Sequence, residues 1–272
     1  MSPDRPPRWW TRSVYGRALH DERRALVGWS IGIAATIILE LALYPTVRNN
    51  DMSKLIDSYP DSVKQLFGLA DFATGTGYVR AELFSFVLPL MVVLFGVLWG
   101  SDAIAGEEDR GTLDLVLANP ITRRRVVVEK AAAVTTGLAV VCVAMAAALV
   151  VGDAAFSVGV PVARLAAASL MTFVLAVTFA FVGLALGAAT GHRGAARGLG
   201  AALAVAAYLL SALAPLASWL GPWRRLSPWY HALGVDPLGT GIALDHLALL
   251  CLVVAFLVAA AATTFDRRDL AV

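Results

Sequence analysis

Six runs of about 20 apolar residues constrain this chain more than anything else in it, because a helix of that length crosses the roughly 30 Å hydrocarbon core of a bilayer. They read approximately Ala25 to Tyr44, Leu83 to Ile104, Ala131 to Val151, Leu165 to Ala189, Ala195 to Leu216 and Leu244 to Phe265. The rest of the composition agrees: 58% of the 272 residues are hydrophobic and 15% charged, with a mean hydropathy of +0.71, whereas an ordinary soluble domain carries about 25% charged residues. A water-soluble enzyme is excluded. The expected fold class is an all-α integral membrane protein with six transmembrane helices.

The formal charge of +2 is too balanced for a chain whose affinity would rest on neutralising phosphates, so no nucleic-acid partner is expected. Position matters more than the total. Of the 22 Lys and Arg residues, 15 fall in the N-terminal tail, between the second and third runs, around the turn at Arg193 and Arg197, and after the sixth. Seven fall on the opposite side, and the positive-inside bias therefore places both termini in the cytoplasm. Trp29 and Trp99 then fall at inner helix ends, with Tyr44, Tyr78, Trp219, Trp223, Trp229 and Tyr230 at outer ones, as interfacial belts would. The first apolar run is long enough to span and lacks a small-residue cleavage pattern, so it does not read as a secretory signal. Cys142 and Cys251 sit within apolar runs and read as small buried hydrophobes rather than a disulfide or metal pair.

Residues 1–24 form a basic tail, in which Trp10, Val14 and Ala18 recur at four-residue spacing; it reads as a helix lying on the inner leaflet, with a disordered basic tail as the alternative. Residues 25–272 form the six-span domain. Between the fifth and sixth runs, Trp219, Trp223, Trp229 and Tyr230 alternate with Gly221, Pro222, Pro228 and Pro237. That pattern suits short broken helices dipping into the membrane surface, the alternative being a plain loop.

The most informative segment is IAGEEDRGTLDLVLANPITRRRVVVEK, from Ile104 to Lys130. Gly106 can end the second span, and Glu107, Glu108 and Asp109 suit the first turn of a new helix, where the macrodipole favours negative charge. Leu113, Val116 and Leu117 then share a face, Arg110 and Asp114 pair at i, i+4, and Asn119 with Pro120 stops the run. A three-turn amphipathic helix, roughly 18 Å long, is expected on the cytoplasmic side. Its acidic start favours docking on a protein partner over adsorption to anionic lipid. Thr122 can cap the third span. Arg123, Arg124 and Arg125 then occupy its first turn, where each charge is disfavoured by about 0.3–1 kcal/mol; anionic lipid or an acidic partner surface would have to favour them there.

These stretches resemble the ABC-2 type transporter permeases, the membrane-spanning subunits of ATP-binding cassette exporters. EEDRGTLDLVL from Glu107 and NPITRRRVVVEK from Asn119 resemble that family's coupling element; ATGTGYVRAELFSFVLPL from Ala73, LSPWYHALGVDPLGTG from Leu226 and RRDL from Arg267 are similar in rhythm. The resemblance implies a multi-pass protein of a bacterial plasma membrane, a second permease copy or homologous permease as partner, and a separate cytoplasmic ABC ATPase supplying ATP and Mg. It implies coupling roles for Glu107, Glu108, Arg110, Gly111, Thr112, Leu113 and Pro120. The expected substrate is amphipathic: a drug or antibiotic, a lipid or a peptide.

The chain has no Gly-Lys pair, and so no Gly-rich loop ending in Gly-Lys-Ser/Thr to cradle phosphates; no cofactor is expected in it. An intramembrane enzyme fits poorly. Arg110 follows Glu108 by two residues, whereas CAAX-type proteases need Glu-Glu-x-x-x-Arg within a span, and His20, His192, His231 and His246 are scattered with no His-x-x-x-His pair for a metal. An ion-coupled carrier would want ionisable groups near the midplane, where Glu40 of the first span is the sole strong candidate. Gly96 and Gly100 in the second span, and Gly183, Gly187 and Gly191 along the fourth, favour close helix packing, within the chain by default. Pro89 should kink the second span. With Glu40, the residues Phe86, Pro89, Val93, Tyr208 and Ser211 form the candidate substrate path, the family's second and fifth spans resembling a cavity lining.

Overall fold

The computed structural model describes residues 13–49, 58–60, 63, 71–72, 74–113 and 121–268. Among these residues the protein is helical without strands, and six helices are long and apolar enough to cross a membrane. Span one is Val14–Asn49, span two Gly75–Asp102 in sections, span three Arg123–Phe156, span four Val162–Thr190, span five Arg193–Leu213 and span six Leu244–Arg267. Successive spans run in opposite directions, so residues 13 and 268 lie at one end of the bundle, here the proximal end.

Span four is the centre. It carries no charge between Leu165 and Thr190, and 72% of its most apolar stretch is buried, against 11% for span six. It packs on spans two, six, three and five, while span one lies against span three. Small residues set the closest contact, between spans two and four: a Cβ at Gly100 would stand 1.9 Å from the Ala180 carbonyl oxygen, and one at Gly183 2.7 Å from Ser101 Oγ. The glycine stripes therefore face each other inside one chain, the arrangement in which van der Waals contact between backbones holds helices together in lipid.

Three local differences from the sequence expectations have physical causes. From Val14 the tail runs into span one as a continuous 36-residue helix with no boundary at residue 24, while Trp10 of the expected inner-leaflet helix lies outside the described residues; at about 54 Å the helix is longer than the hydrocarbon core is thick. Span two is interrupted before Pro89 rather than at it. A π-helical turn, Val79–Phe84, leads into Ser85 and Phe86, whose φ of −151° and ψ of −55° break the helix. Pro89 then falls in the first turn of Val87–Asp102, where its missing N–H is tolerated. Finally, Trp99, Tyr78 and Trp229 are buried in the bundle rather than set in an interfacial belt, whereas Trp219 and Trp223 are exposed. The Tyr78 hydroxyl donates to the Glu40 carbonyl at 2.8 Å, which gives that polar tip a partner inside the protein. Cys142 is buried as expected, but Cys251 is exposed on span six.

Between spans five and six the chain forms a 3-10 segment, Ser218–Leu226, then the short helices Pro228–Ala232 and Pro237–Thr240. Trp229 anchors this segment to the bundle. Its indole N–H donates to the Ala204 carbonyl at 3.2 Å and Ser227 Oγ donates to the Ala207 carbonyl at 2.7 Å, both on span five.

Candidate functional site

At the proximal end, span two stops at Asp102 and a five-residue helix, Ala105–Asp109, follows. The expected three-turn helix is not continuous. Arg110 ends the short helix and Gly111 takes φ +65°, a left-handed conformation that glycine adopts without a Cβ penalty. Helix resumes at Leu113, which is buried, and residues 114–120, including Pro120 and the Asp114 partner expected for Arg110, lie outside the described residues.

The break changes what the acids can reach. Glu107 and Glu108 turn into the bundle, their side chains only 12% and 25% exposed, while Asp109 and Arg110 are exposed. Glu107 accepts from Lys130, a buried residue of span three, and Glu108 accepts from Arg268 just beyond span six. In each carboxylate the second oxygen is buried without a hydrogen-bond partner among the described residues. Thr112 closes the turn, its N–H and hydroxyl donating to the Glu107 carbonyl at 2.9 and 3.2 Å.

Arg268 joins three elements. Besides Glu108, its guanidinium donates to the Ala188 carbonyl near the end of span four at 3.2 Å, and its own carbonyl accepts from Arg123 of span three at 2.6 Å. It lies across Gly191, at φ +68°, where an added Cβ would meet Arg268 Nη2 at 2.1 Å. Span five is bound in separately: Asp102 accepts two-pronged hydrogen bonds from Arg193, at 2.8 and 2.6 Å, and from Arg197, at 2.7 and 2.6 Å. Such forked, charge-assisted pairs fix orientation as well as distance. A cavity of about 40 Å³ among Glu22, Asp102, Glu107, Arg110 and Lys130 lies within this cluster.

The three arginines that begin span three find partners within the chain, although Arg124 and Arg125 are exposed. Arg123 also donates to the Phe265 carbonyl at 3.3 Å and lies 5.8 Å from that residue's ring centroid. Arg124 pairs with Asp266 at 3.1 Å, and Arg125 with Glu129 one turn along at 2.8 Å. The negative end of span six thus offsets the unfavourable placement of positive charge at the start of span three. Thr122 caps that helix as expected, accepting from the Arg125 N–H at 3.3 Å.

At the distal end, the candidate path residues separate. Tyr208 and Ser211 line a cavity of about 270 Å³ with Arg80, Phe84, Ser85, Arg224, Trp229 and Asp236 among its walls. Phe86 is half-exposed beside it, its ring 5.3 Å from that of Tyr208. Pro89 and Val93 are packed in the core, and Glu40 lies apart on span one, electrostatically close to Glu82. Arg80 Nε and Nη2 donate to the two carboxylate oxygens of Asp236 at 2.9 and 2.8 Å, joining span two to the segment before span six.

Sequence reasoning overlooked Lys130, Asp102, Arg193, Arg197, Arg268, Arg80, Asp236 and Arg224. For Lys130 there was a usable signal, since an ionisable group at the edge of an apolar run calls for a partner. The histidines are not all scattered: His231 and His246 meet with their Nδ1 atoms 2.9 Å apart, and the Nε2 of His231 is 2.7 Å from the Arg225 carbonyl. Among the described residues no group of three or more His, Cys, Asp or Glu could hold a metal.

No curated protein matches the chain. The family model described as ABC-2 family transporter protein matches residues 13–270, almost the whole length, and the multi-pass helical bundle just described is what a membrane permease of ABC exporter type requires. The chain belongs to the ABC-2 family of transporter proteins.

Proposed function

We propose that this chain is the membrane-spanning permease of an ATP-driven exporter, with residues 25–272 as the permease domain, both termini cytoplasmic, and ATP with Mg held by a separate ABC ATPase. It works as a dimer with a second copy or a homologous permease, and it moves an amphipathic drug, lipid or peptide. The observation that carries the reading is the tethering of the segment after span two. Glu107 ties it to span three through Lys130, and Glu108 ties it to the ends of spans six and four through Arg268.

A segment so fastened does not move alone. When ATP closes the ATPase pair, displacement of residues 105–113 pulls on spans three, four and six together, and Asp102 carries span five along through Arg193 and Arg197. In this reading Glu107 and Glu108 are transmission links, and the exposed Asp109 and Arg110 are what the ATPase touches. Packed bundles with two arrangements convert such local displacements into alternating access.

The test uses the permease and its ATPase reconstituted in proteoliposomes. Glu108→Gln should leave ATPase binding intact and lower transport per ATP hydrolysed by about ten-fold, roughly 1.4 kcal/mol of lost coupling. Asp109→Lys with Arg110→Glu should weaken ATPase binding itself. Unchanged coupling in the first and unchanged binding in the second would remove the proposed mechanism.

A further inference from the structure

The walls of the distal cavity contain two cations in unequal circumstances. Arg80 is neutralised by its forked pair with Asp236. Arg224 has no carboxylate partner among the described residues; its Nε is buried without an acceptor, and its guanidinium carbon stands 4.8 Å from the Tyr230 ring centroid. A guanidinium donor cut off from water without an acceptor is costly, and the charge that Arg224 brings to the chamber wall has no acid to offset it among the described residues.

The surroundings say what kind of molecule could bring it. Phe84, Tyr208 and Trp229 give the chamber apolar walls. Arg224 belongs to the 3-10 segment whose Trp219, Trp223 and Leu226 are 72%, 57% and 70% exposed. Indoles presented in this way sit at the level of lipid headgroups, which sets Arg224 at the depth of the phosphates. The volume, about 270 Å³, is near the lower limit of ligand pockets and suits a headgroup rather than a whole amphiphile.

We propose that this chamber binds the anionic headgroup of a membrane-resident amphiphile, with Arg224 as its charge contact and the hydrocarbon chains left in the bilayer. The assignment deepens the permease reading and rests on it for the chamber's role in transport. The bound molecule is either an anionic phospholipid or an anionic amphiphilic substrate; the recognising chemistry is the same.

The full chain, purified without any ATPase, is offered equal amounts of phosphatidylglycerol and phosphatidylcholine in mixed micelles, and the retained lipid is read by native mass spectrometry. Wild type should prefer phosphatidylglycerol by about ten-fold, and Arg224→Gln should bring that preference down to about two-fold or less. Arg224→Lys should keep part of it, and Arg225→Gln, which alters a neighbouring exposed cation, should keep all of it. Dodecyl phosphate as a second probe distinguishes the sources: Arg224-dependent binding of dodecyl phosphate without phosphatidylglycerol preference supports a substrate amphiphile, and preference for phosphatidylglycerol supports a phospholipid. An Arg224→Gln chain indistinguishable from wild type with both probes, or displacement by inorganic phosphate as effective as by dodecyl phosphate, overturns the assignment. Because no ATPase is present, failure here leaves the coupling mechanism standing, and failure to recruit an ATPase leaves the binding result standing.

Discussion

The two ends of the bundle handle charge in opposite ways. At the proximal end Glu107 pairs with Lys130, Glu108 with Arg268 and Asp102 with Arg193 and Arg197, and with the Arg268 contact to a backbone carbonyl these bonds reach five of the six spans. At the distal end the Arg80–Asp236 pair holds one corner and Arg224 has no acid beside it among the described residues. Each end keeps buried polar atoms without partners, carboxylate oxygens at the proximal end and a guanidinium nitrogen at the distal one, so the contrast lies in how many spans the ion pairs join. The proposed functions assign transmission of displacement to the more heavily cross-linked end and binding to the other.

Substitutions can sharpen or break that contrast. The largest effect should come from Lys130→Ala, which strands the Glu107 carboxylate in a site where both partners are nearly buried; a loss of about 3–5 kcal/mol is expected, read as thermal unfolding of the detergent-solubilised chain. Replacing both members, Lys130→Met with Glu107→Leu, should recover most of that stability. If the double variant were as unstable as the single one, the pair would not be the origin of the loss. Asp102→Asn comes next at about 2 kcal/mol, because Arg193 and Arg197 each lose a charged acceptor but are about one third exposed and can rehydrate. At the other end Asp236→Asn should cost about 1 kcal/mol: its partner Arg80 is partly exposed, and the amide oxygen can still accept from the Gly239 N–H. Arg125→Gln, which breaks an exposed pair one turn apart, should fall within about 0.5 kcal/mol. An unfolding series in which Asp236→Asn equals or exceeds Lys130→Ala would abolish the proposed division between the ends.

The spans were legible from composition alone, since a run of twenty apolar residues has few alternatives, and the Thr122 cap followed from local chemistry. The interior of the proximal network was not. Leu113, Val116 and Leu117 carry a helical period that continues through Gly111, and glycine inside a helix is merely unfavourable by about 1 kcal/mol, so periodicity argued for a continuous helix where the chain turns instead. With the turn unforeseen, Glu107 and Glu108 read as an exposed acidic start rather than as buried ligands. Their partners lie 23 and 160 residues away, and Asp102 is 91 residues from Arg193, separations at which a single sequence gives no pairing signal. The acceptors of Arg123 and Arg124 were out of reach for the same reason, because they belong to the end of span six, whereas that of Arg125 lies one turn along in span three. At the distal end Tyr208 and Ser211 of span five were within reach by analogy of position, while Pro89 and Val93 lie on a part of span two that is packed into the core.

Arg268 lies beyond span six yet holds down the stretch that follows span two. During synthesis at a translocon, that early stretch therefore has to wait, exposed and unlatched, until every later crossing has been threaded. A truncated product lacking the final crossing would carry that stretch without its latch to the end of span six.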